Sequence, residues 1–390
     1  MLTTLGPVLI ACKGQGAPAV VQTYARARLL CRQLGETPHL FLVIQGLRRF
    51  YSGRHEYQAA RELGEELVRL AQRQGDPALL REAYQGLGMA CFFQGDLVTA
   101  CEQYRQGSAL CDAPSDLAHV LRYGQDGGLL CLSYGGFTLW LLGFPDQAQQ
   151  WSQRAVTLTE QHPHHFVRTM ALTVAAHIAQ RCREPQATQT YAAAAVALAR
   201  EHGFPMWEAL GLAPQGWALV EQWQSNAGIA LLRRGLAEYL ATESRVSEAH
   251  MVAMLAESYL RLGQADDGFT LVTETLAEEL DPSYFFQGEL RRFKGERLFL
   301  LATRAGRADS VSGNAVHLAE VESCFHQALD IARCQEAKSL ELRAAMSLSR
   351  LWQAQGRRDE ARALLADVYG WFTEGFDTAD LREARALLEA

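Results

Sequence analysis

The sequence predicts an all-α solenoid, a superhelix built from helix–turn–helix repeats, and three observations support this fold class. Small residues recur about every 40 residues along the 390-residue chain. Glycines that signal turns stand between apolar helical segments, as at Gly95, Gly143, Gly263 and Gly356. No alternating apolar–polar run is long enough to indicate a sheet. The period is the strongest signal, because self-similarity at a fixed spacing is typical of repeat folds.

The first helix of each repeat is marked by one small residue near its centre. The nine positions are Gly6, Gly46, Gly88, Gly136, Ala176, Gly216, Ala256, Gly295 and Ser349. Two of the steps between them are longer than the others. One contains a predicted loop at residues 111–116, and the other contains a polar stretch at 304–316 that we expect to be a mobile loop within its repeat.

The second helix of each repeat carries its own small position. The nine residues there are Val20, Ala60, Ala100, Ala148, Thr188, Gly228, Gly268, Val321 and Ala361. The segment at residues 84–110, YQGLGMACFFQGDLVTACEQYRQGSAL, resembles the tetratricopeptide repeat. This resemblance implies a right-handed superhelix whose first helices line a concave groove. A period near 40, rather than 34, implies helices about one turn longer than usual.

The two ends of the predicted array differ. We assign residues 1–376 to about nine repeat units and residues 377–390 to a C-terminal capping helix, whose start is marked by Asp377 and Asp380. Only five residues precede Gly6, so the first helix is expected to be incomplete. We therefore expect the chain to be the C-terminal part of a longer protein and to fray from residue 1 to about residue 36.

A narrower resemblance rests on four stretches. They are YGQDGG at 123–128, LWLLGFPDQA at 139–148, GWALVEQ at 216–222 and the whole segment 324–388. Together they resemble the C-terminal repeat region of bacterial multidomain signalling proteins, in which an adenylate or guanylate cyclase or a kinase domain precedes an AAA-type ATPase. The resemblance implies a regulatory scaffold that works with ATPase or cyclase domains. The sequence has no GxxxxGK[ST] motif, so we expect no nucleotide binding or hydrolysis by these residues.

Composition argues against several classes of partner. Asp and Glu outnumber Lys and Arg by 44 to 37, which disfavours nucleic-acid binding. The most apolar stretch, residues 129–144, is too short and too interrupted to cross a bilayer. Residues 9–12 have the form of a lipoprotein cleavage box, but no positive charge precedes them. The nine scattered cysteines form no CxxC motif and indicate a reduced, cytoplasmic protein.

The candidate contact residues fall in two groups. Aromatic residues near the ends of first helices are possible anchors for a partner in the groove: Phe50, Tyr51, Phe92, Phe93, Phe137 and Trp140. To these we add Gln85 and the pair Tyr123 and Asp126. The alternative for the aromatics is packing between repeats. For 123–128, which we place in mid-helix with an unpaired Asp126, the alternatives are a packing bend and a ligand contact.

The leading functional hypothesis is a non-catalytic module that binds a protein or peptide in its concave groove. A small-molecule sensor is the alternative, and a helical-toroid enzyme is disfavoured by the repeat register. We expect no cofactor and no metal site. The histidines at 162, 164 and 165 are interpreted as a solvated turn, and Asp266 and Asp267 as a helix start.

Overall fold

The computed structural model describes residues 18–33, 39–54, 56–111, 117–123, 125–160, 164–242, 245–277, 286–305 and 311–389, and these contain helices and turns but no strand. The helices are α1 (Pro18–Gln33), α2 (Leu40–Gly53), α3 (Tyr57–Gln74), α4 (Pro77–Phe93), α5 (Leu97–Ala109), α6 (Leu117–Tyr123), α7 (Gly127–Leu141), α8 (Pro145–Thr159), α9 (His165–Arg181), α10 (Pro185–His202), α11 (Pro205–Glu221), α12 (Ser225–Ala241), α13 (Glu248–Arg261), α14 (Ala265–Ala277), α15 (Gln287–Ala305), α16 (Val311–Cys334), α17 (Lys338–Ala354), α18 (Arg358–Gly370) and α19 (Ala379–Glu389). The predicted all-α solenoid is confirmed.

The helices form two layers. First helices of successive units pack side by side in the order α4, α7, α9, α11, α13, α15 and α17. Each packs also against the second helix of its own unit, from α5 through to α18, and α6 is an additional short helix before α7. Several helices begin with proline in the first turn, such as Pro145 and Pro205, where a missing N–H costs no helical hydrogen bond.

The two helices of a unit touch where the sequence places its small residues. A Cβ added to Gly216 would lie 2.6 Å from the carbonyl oxygen of Gly228. Ser349 Oγ donates to the carbonyl oxygen of Ala361 at 3.1 Å, in the equivalent place of a later unit. The predicted register is therefore correct in these units, because only small side chains allow backbones to come this close.

In six of the units, the described turn between the two helices contains one residue with a left-handed backbone. In four units it is glycine, namely Gly95, Gly143, Gly263 and Gly356, with φ between 73° and 90°. This confirms the turns predicted there, since glycine adopts this conformation without steric cost. Two other units place a bulky residue at the same point: Arg183 has φ 59° and Trp223 has φ 66°.

The superhelix returns on itself, so that late units contact early ones. Helix α17 packs against α7. Ser339 Oγ donates to the carbonyl oxygen of Trp140 at 2.5 Å, across 199 residues of sequence. Gln147 Nε2 donates to Glu374 at 3.0 Å, across 227 residues. The units from α7 to α18 therefore form a closed turn, with α19 against α17 and α18.

This closure explains the most apolar part of the sequence. Every residue of α7 except Tyr134 is buried, because first helices flank it and α17 covers its remaining side. Within the described ranges, none of the helices combines the length and the apolar character needed to cross a bilayer.

Helix α16 begins earlier than the sequence predicts. Residues 311–316 were expected to belong to a loop, but they form the first turns of α16. Ala315, Leu318 and Ala319 favour helix and extend it upstream. The predicted loop at 112–116, the first helix around Gly6, and part of the N-terminal segment expected to fray lie outside the described residues.

Candidate functional site

The YGQDGG stretch joins two helices instead of interrupting one. Tyr123 ends α6 and Gly127 begins α7. Asp126 is the N-cap of α7, and its side chain accepts a hydrogen bond from the Leu129 amide at 3.1 Å. The expectation of a mid-helix, unpaired Asp126 is therefore wrong, because a capping carboxylate starts a new helix at this position.

A buried carboxylate on α4 holds this bend in place. Glu82 is fully buried and accepts hydrogen bonds from Gln125 Nε2 and from the Gly127 amide, each at 2.7 Å. Gln125 Nε2 also donates to Gln85 Oε1 at 2.8 Å. Tyr123 offers its carbonyl oxygen to Arg49 at 3.0 Å. Gln85, Tyr123 and Asp126 thus meet in one buried polar cluster, whose contacts fit the packing-bend interpretation.

The aromatic candidates are mainly buried. Phe50, Phe92, Phe137 and Trp140 are each at most 5% exposed and belong to the apolar core. Tyr51 and Phe93 are half-buried. For the first four, packing between repeats is the better interpretation, since their side chains are buried among apolar core residues.

Phe137 belongs to a buried stack near the centre of the closed turn. His250 of α13 lies parallel to Phe286, with ring centroids 4.3 Å apart, and Phe137 lies 5.8 Å from the same imidazole. His177 of α9 is 4.7 Å from His250. The Arg181 guanidinium lies 4.7 Å from the Phe286 centroid. This arrangement places two imidazoles beside a buried cation.

Both imidazoles are neutral at pH 7 as a result. Burial, with Arg181 nearby, lowers the pKa of His177 to about 3. Burial lowers the pKa of His250 well below its usual value, and Arg181 and His177 act in the same direction. Burial also lowers the pKa of Arg181, to about 10.

A second buried carboxylate, Glu289 of α15, is surrounded by arginines. It lies 2.9 Å from Arg292, 3.5 Å from Arg343 and 3.8 Å from Arg181. Burial alone would raise the pKa of Glu289, but the three guanidinium groups outweigh it and lower the pKa to about 2. The carboxylate is therefore charged at neutral pH and holds three helices together.

A groove of about 320 Å³ opens next to this cluster. First helices, the turn after α9 and the last helix, α19, line it. Its lining residues are Arg183, Glu221, Glu257, Leu260, Arg261, Arg292, Phe293, Glu296, Arg343, Met346, Arg350, Asp380 and Glu383. We call this surface the central groove. It contains five arginines and five carboxylates, so it is suited to a ligand that carries both charges.

One end of the central groove is internally paired. Arg343 Nε donates to Asp380 at 2.7 Å, and Arg183 lies 3.3 Å from Asp380 and 2.6 Å from Glu383. Arg350 forms a further ion pair with Glu383. Each charge here has an opposite charge beside it, so this end of the groove has little unmet demand for a ligand.

The other end has an excess of acceptors. Arg261 lies 3.1 Å from Glu221, while Gln180 Nε2 donates to Glu257 at 3.4 Å. Burial raises the pKa of Glu221; Glu257 acts in the same direction and Arg261 opposes it. Among the described residues, the buried Gln180 Oε1 has no hydrogen-bond partner. Two carboxylates and an amide oxygen thus lie near Arg261, and Arg183 also opposes the rise in the pKa of Glu221.

Sequence reasoning missed these residues, although a signal was present. Arg181, Glu221 and Arg261 each follow the small residue of their first helix by five positions, so they occupy equivalent places in three successive units. A charge repeated at an equivalent place of first helices indicates a line of charges on the inner surface.

Potential metal ligands are scattered in the described part of the chain. No group of three or more His, Cys, Asp or Glu that could hold a metal ion occurs there. His165 stacks on His202 with centroids 4.0 Å apart, and His162 lies outside the described residues. Eight described cysteines are free thiols, and all but Cys334 are buried.

No protein-family model matches the sequence, and no curated protein matches it. Among solved structures, the chain is similar to a Rap protein complexed with competence and sporulation factor. The TM-score is 0.54 and the identity 12%, over 92% of this chain and 98% of that one. It is also similar to the apo form of the quorum sensor NprR from B. thuringiensis, with a TM-score of 0.51 and 11% identity, over 94% of this chain and 96% of that one. At such identities the likeness shows the fold.

Proposed function

We propose that this chain is a non-catalytic interaction scaffold that binds a peptide or an extended protein segment in the central groove. The observation that supports this proposal most strongly is the lining of the groove, which consists of five arginines and five carboxylates around a few apolar side chains. An extended chain presents both donors and acceptors, and often both charges, so it complements such a surface.

The size of the groove and its position agree with this proposal. A volume of about 320 Å³ is near the lower limit for ligand sites and fits a few side chains of a longer segment. The Rap protein of similar fold was solved in complex with a factor, so a solenoid of this kind can hold a bound partner. Tyr51 and Phe93 are half-buried and stay candidates for contacts outside the groove.

Peptide selection tests the proposal. The immobilised chain is exposed to a random heptapeptide library, and we expect a shared sequence pattern to be enriched. Leu260→Trp fills the groove with a larger side chain and should abolish this enrichment. Leu271→Trp, at a half-buried leucine of α14 that does not line the groove, is the matched control. No enrichment, or enrichment that survives Leu260→Trp, contradicts groove binding.

We further propose that ATPase or cyclase domains act on, or respond to, the bound state. The support is the resemblance of residues 324–388 to the repeat region of such signalling proteins. The test is to mix this chain with an AAA-type ATPase from a signalling protein of the resembled class and to measure ATP hydrolysis with and without an enriched peptide. An unchanged rate would contradict the link.

We also propose a cytoplasmic location, supported by the eight free thiols. Cell fractionation tests it, and recovery of the protein from an oxidising compartment would contradict it.

A further inference from the structure

Two of the described turns inside repeat units contain a residue that their backbone does not favour. Arg183 has φ 59° and Trp223 has φ 66°. Both stand at the turn position that other units fill with glycine, such as Gly143 and Gly263. A non-glycine residue in this conformation costs on the order of 1 kcal/mol. A strained residue is retained where its side chain supplies something that glycine cannot.

The Arg183 side chain makes ion pairs that a glycine could not make. Its guanidinium lies 3.3 Å from Asp380 and 2.6 Å from Glu383, and all three residues line the central groove. The left-handed turn therefore directs a side chain from the edge of the solenoid towards the groove.

Trp223 occupies the equivalent turn one unit later, 40 residues along the chain. Its side chain is 86% exposed, the highest exposure among the large apolar residues described as exposed. Glu221, two residues before it, lines the groove. Repeat geometry thus places Trp223 at the rim of the groove end that has excess acceptors. Tryptophan is the side chain most enriched among residues that dominate binding energy.

The acceptors beside this rim indicate the charge of the occupant. Glu221 and Glu257 line the groove together with Arg261, which lies 3.1 Å from Glu221. The nearby Gln180 Oε1 is buried and lacks a hydrogen-bond partner among the described residues. An unpartnered amide oxygen beside two carboxylates favours a ligand group that donates hydrogen bonds and carries positive charge.

We propose that this end of the central groove binds a lysine or arginine side chain of the peptide, and that Trp223 packs against that side chain or its neighbour. The inference rests on the proposed peptide-binding function and specifies its ligand. Glu221, Glu257 and Gln180 receive the cationic head. The face of the Trp223 indole attracts a cation and covers the aliphatic stem.

A positional-scanning hexapeptide library tests this specificity. In each sublibrary one position is fixed as Lys, Arg, norleucine, Asp or Glu, and binding to the full chain is measured by fluorescence polarisation. We expect one position at which Lys or Arg binds at least about tenfold more tightly than norleucine. In Glu257→Gln the preference for a basic residue should fall about tenfold. Glu102→Gln, at an exposed glutamate of α5, should leave that preference unchanged.

Variants of Trp223 separate a binding role from a structural one. Trp223→Gly should raise the thermal midpoint, since glycine suits φ 66°, yet weaken binding of the selected peptide at least about tenfold. Trp223→Phe should keep part of the affinity, and Phe376→Ala, at an exposed aromatic outside the groove lining, should keep all of it.

The possible failures are distinguishable. If no hexapeptide binds, the peptide-binding function itself is wrong, and this specificity is wrong with it. If peptides bind with no preference for a basic residue, or if Glu257→Gln leaves the preference intact, the scaffold function stands and the cation site is overturned. If Trp223→Gly binds as the parent chain does, Trp223 has no part in the site.

Discussion

Two buried carboxylates on first helices, Glu82 and Glu289, are held in opposite ways. Glu82 accepts from two uncharged groups, the Gln125 amide and the Gly127 backbone N–H, and lies 2.9 Å from His119 Nε2. Glu289 is surrounded by charged groups, namely Arg181, Arg292 and Arg343. The first arrangement fixes a bend between α6 and α7. The second joins α9, α15 and α17 across the closed turn.

The difference between the two carboxylates indicates which part of the molecule responds to a bound ligand. The hydrogen bonds from Gln125 and Gly127 to Glu82 are local and fix the shape of the bend, while the carboxylate also acts on the nearby Arg48 and Arg49. The arginines around Glu289 also belong to the groove wall, since Arg292 and Arg343 line it. A ligand charge entering the groove would therefore compete with, or reinforce, the pairs that close the superhelix.

The largest expected effect is that of Glu289→Gln. Removing this charge leaves three buried guanidinium groups without their shared partner, and unfolding free energy should fall by about 3–5 kcal/mol. Urea unfolding at pH 7 measures the change. Glu360→Gln, which removes an exposed partner of Arg357, should leave the midpoint unaltered. A loss as small as that of the control would mean that the arginines are satisfied otherwise.

A smaller effect is expected for Glu82→Gln, which sharpens the comparison. The amide keeps one oxygen for the Gly127 N–H or the Gln125 side chain, so the loss should be about 2 kcal/mol. The same urea experiment applies. A loss equal to that of Glu289→Gln would show that the charge of Glu82, and not its hydrogen bonds, carries the stabilisation.

The substitution Gly127→Ala tests whether the bend is sterically tight. An added Cβ would lie 2.8 Å from Glu82 Oε1 and 2.9 Å from the Arg81 carbonyl oxygen. Since the backbone oxygen cannot move freely, we expect a loss of about 1–2 kcal/mol. At Gly370 nothing described lies within 4 Å of the added atom, so Gly370→Ala should be neutral or slightly stabilising. Thermal unfolding of both variants decides whether the bend is tightly packed.

The smallest effect concerns pH and the region near Glu289. The folded pKa of His177 is about 3 and that of His250 is also depressed, while an unfolded histidine titrates near 6.5. Between these values the unfolded chain binds more protons, so stability is fully present above about pH 6.5 and falls as pH decreases. His250→Phe should reduce this slope by at most about 1.4 kcal/mol per pH unit.

Urea unfolding at several pH values between 7 and 5 measures that slope. His326→Phe, at an exposed histidine beside Glu322, serves as the control and should leave the slope nearly intact. If His250→Phe has the same slope as the parent chain, then the imidazole is protonated within the folded structure and Arg181 does not exclude the charge.

The repeat register was predictable because it is local. Gly216 and Gly228 meet within one helical hairpin, so their spacing in sequence directly reflects their contact. The glycine turns were predictable for the same reason. The groove was not, because Arg183 and Glu383 are 200 residues apart and nothing in either segment indicates that the superhelix closes.

The aromatic candidates show the limit of repeat reasoning. Their position on first helices follows from the register, but their burial depends on how tightly the superhelix winds. Trp140 would face an open groove in a shallow superhelix; here the Arg343 guanidinium of α17 lies 5.0 Å from its ring. Trp223 was not predicted as a contact residue for a different reason. It stands at a turn position where glycine is expected.

The contact between α7 and α17 changes how the array comes apart. In an open solenoid each repeat touches only its neighbours, so end units detach one at a time and the middle survives. Here the hydrogen bond from Ser339 to Trp140 links repeats that are 199 residues apart in the chain. The units between them form a single cooperative block that must assemble before this contact can form, which slows folding. Helices before α7 lie outside that block and can unzip by themselves.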